Sequence, residues 1–193
     1  LLRYTDWELL RLSPVPFLLV KKSQPYRRPV VLAAVDPLHT FAKPARLDRE
    51  ILAAAETLQR ALRGSVHAVN AYLSLPVYPA AELPANQSLL ERSEERAHQQ
   101  AQAAFDRELK SSGVPPRNRH VVQGHPADVI PKLARTTRAS IAVMGAISRS
   151  GLKKLVIGNT AEAIFDALPC DILIVKPAHF KTRVSRRARG PAF

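Results

Sequence analysis

Strands and helices alternate along most of this 193-residue chain, and that order predicts a doubly wound, open α/β fold with one five-stranded parallel sheet. Three observations carry the prediction. Pro29–Val35 is an almost unbroken apolar run ending at Asp36, the pattern of a central strand buried on both faces. Between the strand candidates lie stretches whose apolar residues recur at helical spacing. Gly64, Gly113 and Gly124 punctuate the boundaries. With Val30–Val35 in the middle, the expected strand order is 3-2-1-4-5.

Each element follows in turn. Leu47, Ile51, Leu52, Ala55, Leu58 and Leu62 form one helical stripe, and Gly64 closes it. Val66–Leu73 is the second strand, followed by an irregular stretch with Pro76, Pro79 and Pro84. Ser88 and Glu91 stand at capping-box spacing, opening a helix that runs to about Ser112. Its inward residues are Leu90, Ala97, Ala104, Phe105 and Leu109, and its charged run from Glu91 to Arg96 is a solvated face. His120–Gln123 is a short third strand, and Pro126 suits the first turn of a helix that buries Val129, Ile130 and Leu133. Ser140–Met144, Thr160–Leu168 and Asp171–Val175 supply the fourth strand, the last helix and the fifth strand.

Composition narrows the function classes. The single Cys170 excludes a disulfide framework and a multi-cysteine zinc site, and beside Pro169 it reads as a small core residue. Apolar runs such as Phe17–Val20 and Ile141–Gly145 are far too short to span a bilayer. No membrane partner is therefore expected, and a soluble, reducing, cytoplasmic setting is the default. The net charge of +13 is uneven: beyond Asp171 there is no acid, while Lys176, Lys181, Arg183, Arg186, Arg187 and Arg189 follow. Residues 181–193 read as a basic, disordered tail. A nucleic-acid hook is the competing reading, but within residues 181–193 no aromatic residue stands among the basic ones before Phe193, which argues against base stacking.

The first 25 residues fall outside the alternation, and an internal repeat accounts for them. Thr5–Lys21 lies over Thr160–Lys176, with coincidences at Thr5/Thr160, Pro14/Pro169, Leu18/Leu173, Val20/Val175 and Lys21/Lys176. An offset of 155 residues is one whole domain. Residues 1–25 are thus expected to be the C-terminal helix and strand of a preceding homologous domain, with 26–180 the complete one and Lys22–Pro29 the linker.

Met144-Gly145, Gly158-Asn159-Thr160-Ala161-Glu162 and Pro169-Cys170-Asp171-Ile172-Leu173-Ile174-Val175-Lys176-Pro177 together resemble the C-terminal signature of the universal stress protein family. The Gly124-His125-Pro126-Ala127 turn and Asp36 at the end of the first strand fit the same pattern. The two-copy arrangement is similar to the tandem, E-type branch of that family. The resemblance implies a Rossmann-like sheet of the adenine nucleotide alpha hydrolase type. It also implies fifth strands that pair antiparallel across a two-fold or pseudo-two-fold axis. Phe17, Leu18, Leu19 and Val20 would then lie against Ile172, Leu173, Ile174 and Val175, as a homodimer or an intramolecular pseudo-dimer. Trp7, Leu9, Leu10 and Leu12 would cover that junction.

The nucleotide-binding members carry Gly, two residues, Gly, nine residues, Gly, then Ser or Thr. Glycines let backbone N–H groups reach phosphate oxygens, and a hydroxyl at the helix start adds a donor where the dipole favours anions. An Asp at the carboxyl edge of the sheet would accept from the adenine or ribose. This chain keeps Asp36, Gly145 and Gly158 but has Ser148 for the middle glycine and Asn159 for the hydroxyl, with Thr160 one position out of register. The loop is a degenerate nucleotide site whose ligand, where it binds one, would be ATP. The competing reading is that Gly158 only shapes the turn into the last helix. The six histidines share no metal spacing, and no nucleophile has a base nearby in sequence. The expected function is a non-enzymatic stress protein acting through ligand and partner binding.

Overall fold

The computed structural model describes residues 6, 9, 10, 12–38, 46–74, 87–145, 159–177 and 180, with the side chains of 87–90 and 159–162 outside that description. The strands are β1 (Phe17–Leu19), β2 (Val30–Ala34), β3 (Ser65–Tyr72), β4 (Arg119–Gln123), β5 (Ile141–Gly145) and β6 (Asp171–Val175). The helices are α1 (Leu47–Leu62), α2 (Gln87–Glu108), α3 (Pro126–Thr136) and α4 (Asn159–Ala167). The sheet order is β1-β6-β5-β2-β3-β4. β2 through β6 are mutually parallel, with β2 between β3 and β5. Counting from β2, this is the 3-2-1-4-5 order that the apolar run Val30–Val35 predicts.

Side chains alternate across the sheet and fill two cores. Val31, Ala33, Val66, Ala68, Ile141 and Val143 meet α1 and α2 through Leu47, Ile51 and Phe105. On the other face Leu32, Val69, Ala142, Ile172 and Ile174 meet Ile130 of α3 and Ile164 and Phe165 of α4. Leu10, helical and 1% exposed, enters this second core, and Phe17 and Leu19 pack against it.

Several local details differ from the sequence expectation. Arg63, rather than Gly64, takes the left-handed turn after α1, with φ 53°. Gly64 is needed for a different reason: a Cβ there would stand 2.1 Å from the carbonyl oxygen of Pro29. α2 begins at Gln87, one residue before the expected cap Ser88, so Ser88 lies inside the helix and its side chain is outside the described residues. Ala101 is fully buried on α2, while Ala97 is only half-buried. The helix ends through a 3-10 turn, Leu109–Ser111, before Gly113. Before α3, the His125 side chain accepts from the backbone N–H of Ala127 at 3.3 Å, and Pro126 occupies the first turn.

Candidate functional site

Two places in the fold concentrate the candidate residues. The first is the carboxyl edge of the sheet, where the adjacent strands β2 and β5 end. Asp36 follows β2, and its backbone N–H donates to Oδ1 of Asp48 at 3.0 Å. Asp48 is 3% exposed in the first turn of α1, where a carboxylate complements the helix dipole. Gly145 ends β5, and a Cβ there would lie 2.6 Å from Leu47 Cδ2 and 3.2 Å from Ile51 Cδ1. The space freed by this glycine is therefore taken up by α1, so Gly145 has a packing role before any phosphate is considered. Asn159 and Thr160 lie in the first turn of α4, with their side chains outside the described residues. Ser148 and Gly158 also lie outside the described residues.

The second place is the antiparallel seam between β1 and β6. Phe17 pairs with Ile174, Leu18 with Leu173 and Leu19 with Ile172. Leu18 thus faces its own counterpart 155 positions on, while Phe17 faces the counterpart of Leu19 and Leu19 that of Phe17. The register has the two-fold symmetry of an isologous contact. Val20 and Val175 fall beyond this ladder. Val20 is 60% exposed, whereas Val175 is buried and pairs with Gly145. Leu10 covers the junction, Leu9 is 44% exposed, and Trp7 lies outside the described residues.

Polar groups lock the seam in ways the sequence pattern does not announce. The Lys21 ammonium donates to the carbonyls of Phe165 and, at 3.1 Å, Leu168. The Lys176 ammonium donates to the carbonyl of Leu10 and lies 4.9 Å from the centroid of the Phe180 ring. Burial pushes Lys176 down to about 8. It also lowers Lys21, against the opposing pull of Cys170, Asp166 and Asp171. Asp171, 1% exposed, accepts from the backbone N–H groups of Lys21 at 2.7 Å and Lys22 at 3.0 Å, and from the Tyr26 hydroxyl. Burial, reinforced by Asp171, raises the Tyr26 phenol to about 12. Cys170 is fully buried, and burial raises its thiol to about 11, which suits an inert core residue. Two histidine contacts also escaped the spacing argument: His67 with His120, and Tyr72 with His98, each at 3.0 Å. Among the described residues no group of three or more His, Cys, Asp or Glu is arranged to hold a metal ion.

A doubly wound parallel sheet whose candidate residues gather at its carboxyl edge, extended by one antiparallel strand, defines a Rossmann-like α/β protein of the universal stress type. The chain belongs to the universal stress protein family, whose model matches residues 31–176. It is 36% identical over 187 residues to universal stress protein E of Salmonella typhi and 35% identical to that of Escherichia coli K12. In both comparisons the match takes in 93% of this chain and 57% of the relative, so the chain spans little more than half the length of these curated relatives. Among solved structures, a functionally unknown protein from Pseudomonas aeruginosa PAO1 superimposes with a TM-score of 0.72 at 28% identity, over 92% of this chain and 57% of that one. A universal stress protein from Lactobacillus plantarum, at 17% identity, shares the fold with a TM-score of 0.52, over 78% of this chain and 99% of that one. Among the described residues, no helix is long and apolar enough to cross a membrane.

Proposed function

We propose that this chain is a non-enzymatic universal stress protein module that acts in the stress response, in the cytoplasm, by binding a ligand or partner and by pairing with a second universal stress protein fold through fifth strands. The observation that carries the pairing is the symmetric β1–β6 seam. On this reading residues 1–25 are the last helix and strand of a preceding domain, and 26–180 is the complete one. Exposure supports it: Leu9, Val15 and Val20 are 44%, 59% and 60% exposed, while their counterparts Ile164, Cys170 and Val175 are 3%, 0% and 4% exposed. The second copy buries these positions within its own domain, and the first copy leaves them bare. Extending the chain at its N-terminus by one domain length should protect Leu9, Val15 and Val20 in hydrogen exchange. Unchanged exchange there would sink the domain-pair reading.

A second reading, nucleotide binding at the carboxyl edge, is favoured by the placement of Asp36 and Gly145 on neighbouring strand ends. ATP binding should be weak, because Ser148 and Asn159 depart from the phosphate-binding pattern. Equilibrium binding of labelled ATP with magnesium tests this directly. Ser148→Gly combined with Asn159→Ser should strengthen the binding. Micromolar affinity in the unmodified chain, or no response to the double substitution, would overturn this account of the loop.

A further inference from the structure

His67 and His120 are 53 positions apart in sequence, on neighbouring strands β3 and β4. His67 Nδ1 and His120 Nε2 are 3.0 Å apart, the ring planes differ by 5°, and the ring centroids are 5.3 Å apart. That centroid separation equals the N···N distance plus one ring radius at each end. The two nitrogens therefore lie on the line joining the ring centres, and the contact is an in-plane N–H···N hydrogen bond rather than a face-to-face stack. Two zinc–nitrogen bonds along this line would need about 4 Å, at about 2.0–2.1 Å each. A proton, and not a metal ion, fits the gap.

Alternation along the strands places both rings on the face of the sheet that packs against α3, two positions from Val69 and Val122. α3 and its following turn carry Asp128, Lys132, Arg135 and Arg138, all exposed. β2, the other neighbour of β3, contributes no ionisable group. Arg119, next to His120, is engaged elsewhere: it donates to the carbonyls of Val114 and Leu109 and lies 3.7 Å from Asp106. Asn118 donates to the carbonyl of Val66. Among the described residues no carboxylate acts on either ring: burial and the partner imidazole are what shift them.

We propose that His67 and His120 form a proton-operated latch on the edge strand β4. With a single proton between them the rings tie β4 to β3, and protons on both facing nitrogens untie it. A neutral pair meets the condition, since one ring donates and the other accepts. One extra proton can be taken on an outer nitrogen without breaking the bond. The second extra proton puts N–H against N–H, and the rings must part. Burial lowers both imidazoles from the usual 6.5, and each added charge on His120 lowers His67 further. A lowered folded value means that the unfolded chain binds more protons in this window. Stability is therefore full above 6.5 and falls as the pH drops through the lowered folded values. β4 is an edge strand and hydrogen-bonds to β3 alone, so no second strand holds it in place. Its release would expose the edge of β3 as a new pairing surface.

The test uses the 193-residue chain. Ring nitrogen resonances of all six histidines are followed by NMR against pH, with His67→Gln and His120→Gln serving to assign the pair. The latch requires the two rings to titrate in two coupled steps below about 6.5. In parallel, amide exchange of Arg119–Gln123, corrected for its intrinsic pH dependence, is compared at about pH 7 and about pH 5. Unmodified protein should show at least about a fivefold gain in exchange at the lower pH. His120→Gln, which keeps hydrogen-bonding groups but cannot titrate, should not show it. Should that variant fail to fold, the ring titration of the unmodified chain decides alone. Independent single-step titration near 6.5, or equal β4 exchange at the two pH values, overturns the latch, as does a gain that persists in a folded His120→Gln variant.

Discussion

Lys21 and Lys176 stand 155 positions apart and make reciprocal contacts: Lys21 donates to the carbonyl of Phe165, and Lys176 donates to the carbonyl of Leu10. Phe165 is Leu10 displaced by the same 155 positions. Each ammonium thus closes the end of a helix on the other side of the β1–β6 seam, where cations complement the helix dipole and the unsatisfied carbonyls. Residue i meets j and j's counterpart meets i's, which is how an isologous contact is built. The offset found in the sequence is therefore repeated in the side-chain chemistry, not only in the strand register.

The more exposed lysine of the two gives the gentler test. Lys21→Met should cost about 1 kcal/mol, since it removes hydrogen bonds from a charged donor that is partly in water. The loss should be local. Amides of Phe17–Leu19 should exchange faster while those of β2 and β5 stay as they are. Chemical denaturation and residue-resolved hydrogen exchange measure the two effects, and unaltered protection of Phe17–Leu19 would remove Lys21 from the seam.

Asp171 explains why β1 ends at Leu19. The backbone N–H groups of Lys21 and Lys22 both turn to its carboxylate, so the chain leaves the ladder there and carries Val20 out with it. Asp171→Asn should cost about 1.5–3 kcal/mol, because two backbone donors and the Tyr26 hydroxyl lose a charged, buried acceptor. Tyr26→Phe alone should cost about 1 kcal/mol. The double variant should lose less than the sum, since both substitutions touch one hydrogen bond. Strict additivity in denaturant titrations would mean that the Tyr26–Asp171 contact contributes nothing in solution.

At Gly145 packing and ligand binding make different predictions. A methyl group would collide with Leu47 and Ile51, so Gly145→Ala should destabilise the apo chain by about 1–3 kcal/mol. Leu47→Ala is itself costly because Leu47 is fully buried, but the double variant should lose less than the sum of the two, since the shortened side chain makes room for the methyl group. A Gly145→Ala chain as stable as the unmodified one would reassign this glycine from α1 packing to the phosphate loop alone.

Much of this fold is legible in the sequence because single-strand patterns decide it. Val30–Val35 is apolar on both faces and so must be central, whereas Asp171–Val175 reads as the fifth strand, at the edge that Phe17–Val20 would pair with. What the sequence hides is set by register between distant segments. Nothing in the spacing of His67 and His120 shows that β3 and β4 bring one ring opposite the other. The left-handed turn fell on Arg63 because Gly64 was required at the Pro29 carbonyl, a crossing visible only once β2 and β3 are paired. The positions of Asp36 and Gly145 at the ends of adjacent strands were legible. The carboxylate that holds the backbone of Asp36 was not, since Asp48 reads in sequence as an ordinary first-turn acid.

Lys176 supplies the sharpest pH dependence. Burial lowers its ammonium from 10.5 to about 8, so the folded chain gives up this proton more readily than the unfolded one. Between about pH 8 and the unfolded value of 10.5 the unfolded state therefore holds more protons, and stability rises with pH through that interval. The contribution is present above 10.5 and lost as the pH falls through 8. Lys176→Met keeps the length of the side chain and removes the titration. The melting temperature of the unmodified chain should therefore rise relative to that of the variant as the pH is raised from about 7 to about 10. The other lysines and tyrosines titrate in both proteins, so the difference between the two curves isolates residue 176. A constant difference across that range would show that Lys176 keeps an ordinary ammonium, exposed to water despite its place beneath Leu10 and Phe180.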